Sequence, residues 1–515
     1  MSGRRIHKLV IYTLALLATP VLHALSLAPA RVSWLAWVCF VPWFAAIRIA
    51  GPWPALAITS TTTILGTYLV ASWLPAAVSH YYGQSWVIGV LFFVGAWLLT
   101  IAPWVWLFTV TYRALARHVT VLLPVWVGAA WAANELLRVR LFIGDPFGLF
   151  GYSQVSVLPL AQIADTTGVY GISFVLGAVN AALAELWVAR IRRRPLAPAV
   201  IGVAVSAALV LVTLVYGNVR LRTAGDSRDA PPTRIAIIQG DVDPGAQWSR
   251  ESYGANLAAY TALTQTVLHR QPQLVIWPEN AMNFFVETEP LYQGVIRRLL
   301  EPDGIELLTG GPRLLDGPTP HYFNSAFAIH PNGQIIAVYD KQRLLPFAEY
   351  FPLASIELLR REFARVREFT AGGPALPLPT VAGAAGVLIC NEVFFGELSA
   401  ERVARGAGYL VNLANDSWLG DAKYAAQAFD MARLRAIEQR RYLVRASTSG
   451  PSAIVDPFGR VLARTAVESR GTLTGAIASR NERTWYARVG DLFAVLCVGL
   501  PLGILAARRV RRPSP

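Results

Sequence analysis

A chain of 515 residues that is 54% hydrophobic and only 15% charged lacks the polar residues to cover a soluble globule, since soluble proteins carry about 25% charged residues. The mean hydropathy of +0.42 points the same way, and sixteen Trp suit a membrane protein, whose indole rings sit at headgroup level. The net charge of +14 does not indicate nucleic acid: there is no zinc-finger spacing, RNP-like motif or basic helix, and the basic residues cluster at the termini and between apolar runs, which orients a chain against a cytoplasmic leaflet.

Apolar stretches near the ~20 residues needed to cross a bilayer follow one another at 9–27, 33–50, 55–74, 86–111, 119–137, 169–189 and 197–216. The second is short and holds Pro42. The first resembles a signal peptide with Arg4, Arg5 and Lys8 ahead of it, but six further runs favour an uncleaved helix. If these basic residues stay in the cytoplasm, the inner loops carry Arg48, Arg113 with Arg117, and Arg190 with Arg192–Arg194, as the positive-inside rule requires. Arg138 and Arg140 fall on the outer side, either lining a site or snorkelling. Glu135 and Glu185 lie near span ends.

Residues 217–232 are polar with Gly and Pro, a linker signature. Residues 233–478 alternate short β-like runs with helical ones. Strands are expected at 234–238, 274–276, 306–309, 325–329, 335–339, 386–389 and 409–413, and helices at 251–269 and 424–441. Several strands are unbroken apolar runs, as in sheets covered on both faces, so the region reads as a layered α/β sandwich. A last span at 489–507 precedes a basic tail, 508–515. With seven spans before it, the α/β domain lies outside the cytoplasm and both termini inside.

Chemistry concentrates at three strand ends. Glu279 closes LVIWPEN, Lys341 closes IIAVYDK, and Cys390 closes GVLIC; strand ends are where α/β folds build sites. Of the three cysteines, Cys39 and Cys497 fall in apolar runs, leaving Cys390 without a disulfide partner. A cysteine nucleophile needs a nearby base or cation; a carboxylate serves as base, and an ammonium steadies thiolate and oxyanion. The chain holds three Lys against 43 Arg, so a Lys marks a place where a compact charge matters.

The motifs WPEN at 277–280, YDKQRLLPFAEYFP at 339–352, LICNE at 388–392 and NLANDSWLG at 412–420 resemble the nitrilase, or carbon–nitrogen hydrolase, superfamily. With the flanking spans, and with GYSQ at 151–154, VYGISF at 169–174, QGD at 239–241 and the run 430–450, the whole chain resembles the apolipoprotein N-acyltransferases, its membrane-embedded members. The resemblance implies an αββα sandwich with a Glu–Lys–Cys triad and no metal or other cofactor. Cys390 would be the nucleophile and carry a thioester, Glu279 the general base, and Lys341 the oxyanion stabiliser, with the Asn391 N–H as a second donor. Glu349 would orient or balance the site, Glu392 would support the triad or substrate, and Trp248 would sit on a loop at the site's mouth. Where family members often have an aromatic residue after the nucleophile, this chain has Asn391.

The partners implied are a phosphatidylethanolamine-like phospholipid donor, a diacylated apolipoprotein acceptor and the bilayer; no nucleic acid is expected, and the protein is expected to be a monomer in the bacterial inner membrane with its catalytic domain periplasmic. Two rival classes are a membrane-tethered amidase that hydrolyses a small amide, for which one anchor helix would suffice, and a transporter or receptor, which would lack the triad.

Overall fold

The computed structural model describes residues 3–223, 231–242, 250–352, 357–362, 368–417 and 419–510. It divides into two compact units: residues 1–76, 85–223 and 489–515, and residues 77–84 with 224–488.

Proline sets where the helices of the first unit begin. Pro42, Pro103, Pro124 and Pro198 each stand within the first two positions of a helix, in Val41–Ile49, Ala102–His118, Leu123–Arg140 and Ala197–Arg222, where a missing N–H costs nothing. Two expected spans are therefore interrupted. Residues 33–50 form a 3-10 turn followed by a nine-residue helix. The run 86–111 is split between Trp86–Thr100 and Ala102–His118, bent by 43°, with Pro103 at the break. Among the described residues, three helices are long and apolar enough to cross a membrane, Arg5–Ser26, Val169–Ile191 and Ala197–Arg222, or five if two bent pairs each count as one span. The helix Leu123–Arg140 carries Glu135, Arg138 and Arg140.

Helix Val169–Ile191 is the best covered, with 67% of its most apolar window buried. Helix Leu123–Arg140 approaches it through small residues: a Cβ on Gly128 would stand 2.6 Å from the Phe174 carbonyl, so only glycine permits the contact. Several polar side chains of the bundle find partners within it, as an apolar surround favours. Asn180 accepts from the Phe40 N–H at 2.9 Å and donates to the Ala36 carbonyl at 2.8 Å. Glu185 pairs with Arg48 and accepts from the Tyr112 hydroxyl. Glu135 accepts from the Phe150 N–H at 2.7 Å. Arg138 donates to the Phe147 carbonyl, and Arg140 pairs with Asp491, so both make specific contacts within the unit.

The second unit holds two six-stranded sheets among the described residues. Its strands are β1 Thr233–Gln239, β2 Leu274–Ile276, β3 Glu306–Leu315, β4 His321–Ile329, β5 Ile335–Asp340, β6 Leu378–Thr380, β7 Gly383–Ile389, β8 Tyr409–Ala414, β9 Leu443–Ser447, β10 Ala453–Val455, β11 Val461–Arg464 and β12 Gly471–Ile477. One sheet runs β12-β1-β2-β3-β4-β5 and the other β11-β10-β9-β8-β7-β6. All seven expected strands are present.

Period-two alternation separates the layers. Ile235 and Ile237 of β1 pack with Val387 and Ile389 of β7 and with Val411 and Leu413 of β8, between the sheets. Ala236 and Ile238 face the other way, into a cluster with Leu257, Tyr260, Ile296 and Leu299 of helices Arg250–Gln265 and Pro290–Leu300. Helices Gly396–Ala404 and Ala422–Gln439 accompany the second sheet, which completes an αββα order. With both faces of each sheet covered, the central strands read as continuous apolar runs.

Candidate active site

Three strand ends supply the site. Glu279 follows β2, Lys341 follows β5 in the same sheet, and Cys390 follows β7 in the other sheet. All three line one pocket with Tyr81, Asn280, Asn324, Leu345, Ala348, Glu349, Phe369 and Asn415, enclosing about 470 Å³ of empty space that is partly open to solvent.

The Glu279 loop is seated by close backbone approach. Gly310 of β3 exchanges hydrogen bonds with it: its N–H donates to the Pro278 carbonyl at 3.2 Å, and its carbonyl accepts from the Met282 N–H at 3.1 Å. A Cβ on Gly310 would stand 2.7 Å from the Glu279 Cα, so glycine is required there. Trp277 is fully buried, and its indole N–H donates to Thr264 at 3.1 Å.

Cys390 opens a 3-10 turn, Cys390–Phe394, with φ +50°. A non-glycine residue in the left-handed region costs on the order of 1–3 kcal/mol and persists only where its surroundings impose it. Two side chains impose it here. Asn412 of β8 donates to the carbonyls of Leu388 and Cys390, at 2.9 and 3.2 Å. Behind it, Arg445 bonds the Asn412 carbonyl oxygen and pairs with Asp416 at 2.6 Å. Glu392 holds the other side: its Oε2 accepts from the Ile389 N–H at 2.7 Å.

That same carboxylate reaches the lysine loop. Glu392 Oε1 accepts from the N–H groups of Gln342 and Arg343, at 2.8 and 3.1 Å, and from the Tyr339 hydroxyl at 2.7 Å. Arg402 then donates to that hydroxyl at 2.6 Å. Fully buried Glu392 therefore joins the Cys390 turn to the Lys341 loop. Among the described residues, its hydrogen bonds lead to arginine through Tyr339 and through the Arg343 main chain.

Lys341, 1% exposed, directs Nζ to Glu349 Oε2 at 2.8 Å and to Glu279 Oε1 at 3.8 Å. Asn324 of β4 binds both carboxylates through one Nδ2, at 2.7 Å to Glu279 and 2.8 Å to Glu349. Glu349 Oε2 also accepts from the Leu345 N–H at 2.8 Å. The Asn391 side chain makes a long bond to the Arg343 carbonyl, 3.4 Å. Trp248 lies outside the described residues.

Burial and charge set the protonation pattern. Burial raises the Glu279 carboxyl above its ordinary value and Glu349 adds to this, while Lys341, Asn324 and the Cys390 thiol pull it back. Burial, reinforced by Glu279, raises the Cys390 thiol well above its usual value against the pull of Lys341. For Lys341 burial opposes the charge, but Glu349 and then Glu279 outweigh it and raise the ammonium's pKa. These shifts favour the charged ammonium and the neutral thiol, beside a carboxyl whose affinity for a proton is increased. Such a site suits nucleophilic attack on an acyl carbon with proton transfer to Glu279.

Asn324, Asn412, Arg445, Tyr339 and Arg402 were not anticipated from sequence. For Asn412 and Arg445 the signal was a polar residue inside an otherwise apolar strand, YLVNLA and LVRAS; Arg402, on helix Gly396–Ala404, carried none.

Residues 234–487 match the family model described as carbon–nitrogen hydrolase, and the second unit is a nitrilase-like α/β domain with two sheets. Residues 20–182 match the model of the apolipoprotein N-acyltransferase N-terminal domain. An apolipoprotein N-acyltransferase of Geobacter metallireducens is 32% identical over 98% of this chain and 96% of its own length. One of Bradyrhizobium diazoefficiens is 34% identical over 76% of this chain and 74% of its own. Nit3 of Saccharomyces cerevisiae, a nitrilase-superfamily structure, shares 19% identity over 50% of this chain and 93% of that one, with a TM-score of 0.38. The chain belongs to the apolipoprotein N-acyltransferase family.

Proposed function

We propose that this protein transfers a fatty acyl chain from the sn-1 position of a phospholipid, phosphatidylethanolamine-like, to the α-amino group of the N-terminal S-diacylglyceryl-cysteine of apolipoproteins, through a thioester on Cys390. Family membership supports lipoprotein N-acylation in general. The observation that carries the mechanism is the single pocket shared by Cys390, Glu279 and Lys341.

In the first half-reaction Glu279 takes the thiol proton as Cys390 sulfur attacks the ester carbonyl. The oxyanion is met by the Lys341 ammonium and the Asn391 N–H. Collapse breaks the ester C–O bond, and Glu279 returns the proton to the departing lysophospholipid. In the second, the lipoprotein amine attacks the thioester, Glu279 accepts its proton, and Cys390 leaves as a thiolate that is reprotonated. Glu349 orients Lys341, Glu392 braces the two loops, and Trp248 is assigned to the mouth on resemblance alone. Splitting ester-to-amide transfer into two steps is the gain from covalent catalysis.

The reading includes a topology. Residues 1–216 form about seven spans, 217–232 a linker, 233–478 the catalytic domain, 489–507 an eighth span and 508–515 a cytoplasmic tail. The protein is a monomer of the bacterial inner membrane with the catalytic domain on the periplasmic side, where both lipid-anchored substrates meet it in two dimensions. What supports this is the run of apolar helices and the arginines between them.

The test is full-chain protein incubated with phospholipid and a diacylated lipopeptide. A triacylated product is expected, and phospholipid alone should leave one hydroxylamine-labile acyl group on Cys390. Cys390→Ser is expected to accept an acyl group as an ester without turning over, because an alkoxide leaves less readily than a thiolate. Undiminished turnover in Cys390→Ala would remove the thioester. No acylation of Cys390 from phospholipid, together with hydrolysis of a small amide, would favour the amidase class instead.

A further inference from the structure

We infer that Tyr81 is a specificity-determining residue that shields the acyl-enzyme from water, so that the thioester passes to an amine rather than being hydrolysed. This rests on the acyl-transfer reading above.

The pocket has two kinds of wall. Glu279, Asn324, Lys341 and Glu349 make the polar side, while Leu345 and Phe369 contribute apolar surface. Every lining residue but one comes from positions 279–415; the exception is Tyr81. Residues 77–84 belong to the same compact unit as the catalytic residues, although the chain on either side belongs to the other unit. An eight-residue excursion thus brings one aromatic side chain to the nucleophile's pocket.

The excursion is a built element. Ala77 and Val78 are buried. The helix ending at Tyr82 is closed by Gly83 at φ +66°, with the Gly83 N–H donating to the His80 carbonyl and the Gln84 N–H donating to the Ser79 carbonyl at 3.0 Å. The Tyr81 ring meets Tyr82 edge-on, centroids 4.9 Å apart. Tyr81 itself is half-buried. An aromatic ring supplies broad apolar surface at such a place.

The chemistry demands a cover of this kind. Water can replace the amine in the second half-reaction: its oxygen attacks the thioester carbon, the C–S bond breaks, and Glu279 carries the proton to the Cys390 sulfur, releasing free fatty acid. A base able to take a proton from an amine can also take one from water, so excluding water helps protect the intermediate.

The experiment uses full-length protein whose Cys390 has been acylated from phospholipid with a labelled sn-1 chain. Label is followed into free fatty acid and into lipopeptide, in wild type, Tyr81→Phe, Tyr81→Leu and Tyr81→Ala. Loss of the ring should raise the ratio of hydrolysis to transfer about tenfold in the Ala variant, as more water reaches the thioester. Tyr81→Phe should stay near wild type, and Tyr81→Leu should fall between, which supplies the answer if the Ala variant does not fold. Unchanged partition in Leu and Ala variants that still acylate Cys390 would overturn the inference. A Phe variant as leaky as Ala would also overturn it, by moving the role from ring to hydroxyl. Failure of the wild type to acylate Cys390 would overturn the acyl-transfer reading itself, independently of Tyr81.

Discussion

Lys341 is bound more closely to Glu349 than to Glu279: its Nζ stands 2.8 Å from the first carboxylate and 3.8 Å from the second. The ammonium is therefore anchored by a residue that does not touch the thiol's proton path. Glu279 is left freer to act as a base, held through Oε1 by Asn324.

This division predicts unequal consequences for two changes at one contact. Lys341→Arg keeps the charge but replaces a compact head with a broad planar one. In a site where Lys341 is 1% exposed, the guanidinium should displace the oxyanion from its donors. A fall of about 10²–10³-fold in Cys390 acylation is expected, the scale of one lost oxyanion donor. Glu349→Gln keeps the shape and loses the anchor's charge, so the Lys341 pKa should fall. Acylation by that variant should decline less than in Lys341→Arg, and near wild-type rates in Lys341→Arg would remove direct contact between Lys341 and the intermediate.

The pH profile follows from Glu279. Its carboxyl is raised, chiefly by burial, and only its ionised form can take the thiol proton. Acylation should therefore fail on acidification at a pH above the ordinary carboxylate value of about 4.3. Glu279→Gln should abolish that acid limb and lower the rate by roughly 10²–10⁴-fold. Single-turnover acylation across pH measures both; an acid limb at the ordinary carboxylate value would reassign the base.

Glu392 should behave differently in kind. Its two oxygens receive the Tyr339 hydroxyl and three backbone N–H groups. A Gln amide nitrogen accepts nothing, so Glu392→Gln leaves at least one buried donor unpaired, at about 1–3 kcal/mol. Lower thermal stability together with a smaller loss of acylation than in Glu279→Gln is the expected pattern. Wild-type stability with an acylation defect as large as that of Glu279→Gln would show that Glu392 acts on the chemistry.

Topology is open to direct measurement. Reporter fusions after Asp226 and Pro513 should show extracytoplasmic and cytoplasmic activity respectively, as the positive-inside arrangement requires. Cytoplasmic activity from the Asp226 fusion would reverse the orientation and with it the lipoprotein reading.

Much of the α/β unit could be read from sequence alone, because unbroken apolar runs of four to seven residues have few other uses once caps and turns bound them. The strands missed are instructive. β9 contains Arg445, a charge that argues against a buried strand until Asp416 and Asn412 are brought beside it. β11 and β12 alternate exposed and covered residues without strong apolar patterning. In the first unit, helix starts marked by Pro42 and Pro103 divide apolar sequence that hydropathy alone runs together.

Local sequence determined that Glu279, Lys341 and Cys390 stand at strand ends, since β-runs and the polar residues after them are short-range features. Tertiary structure alone decided their company: Asn324 holding two carboxylates, Asn412 gripping the strained cysteine turn, and Glu392 joining loops from different sheets. Those contacts link positions 22 to 50 residues apart, and Tyr81 reaches the pocket from farther still. The physical reason is that a buried polar side chain takes its identity from the partner that satisfies it, and that partner is chosen by packing of the sheets rather than by the residues beside it in the chain.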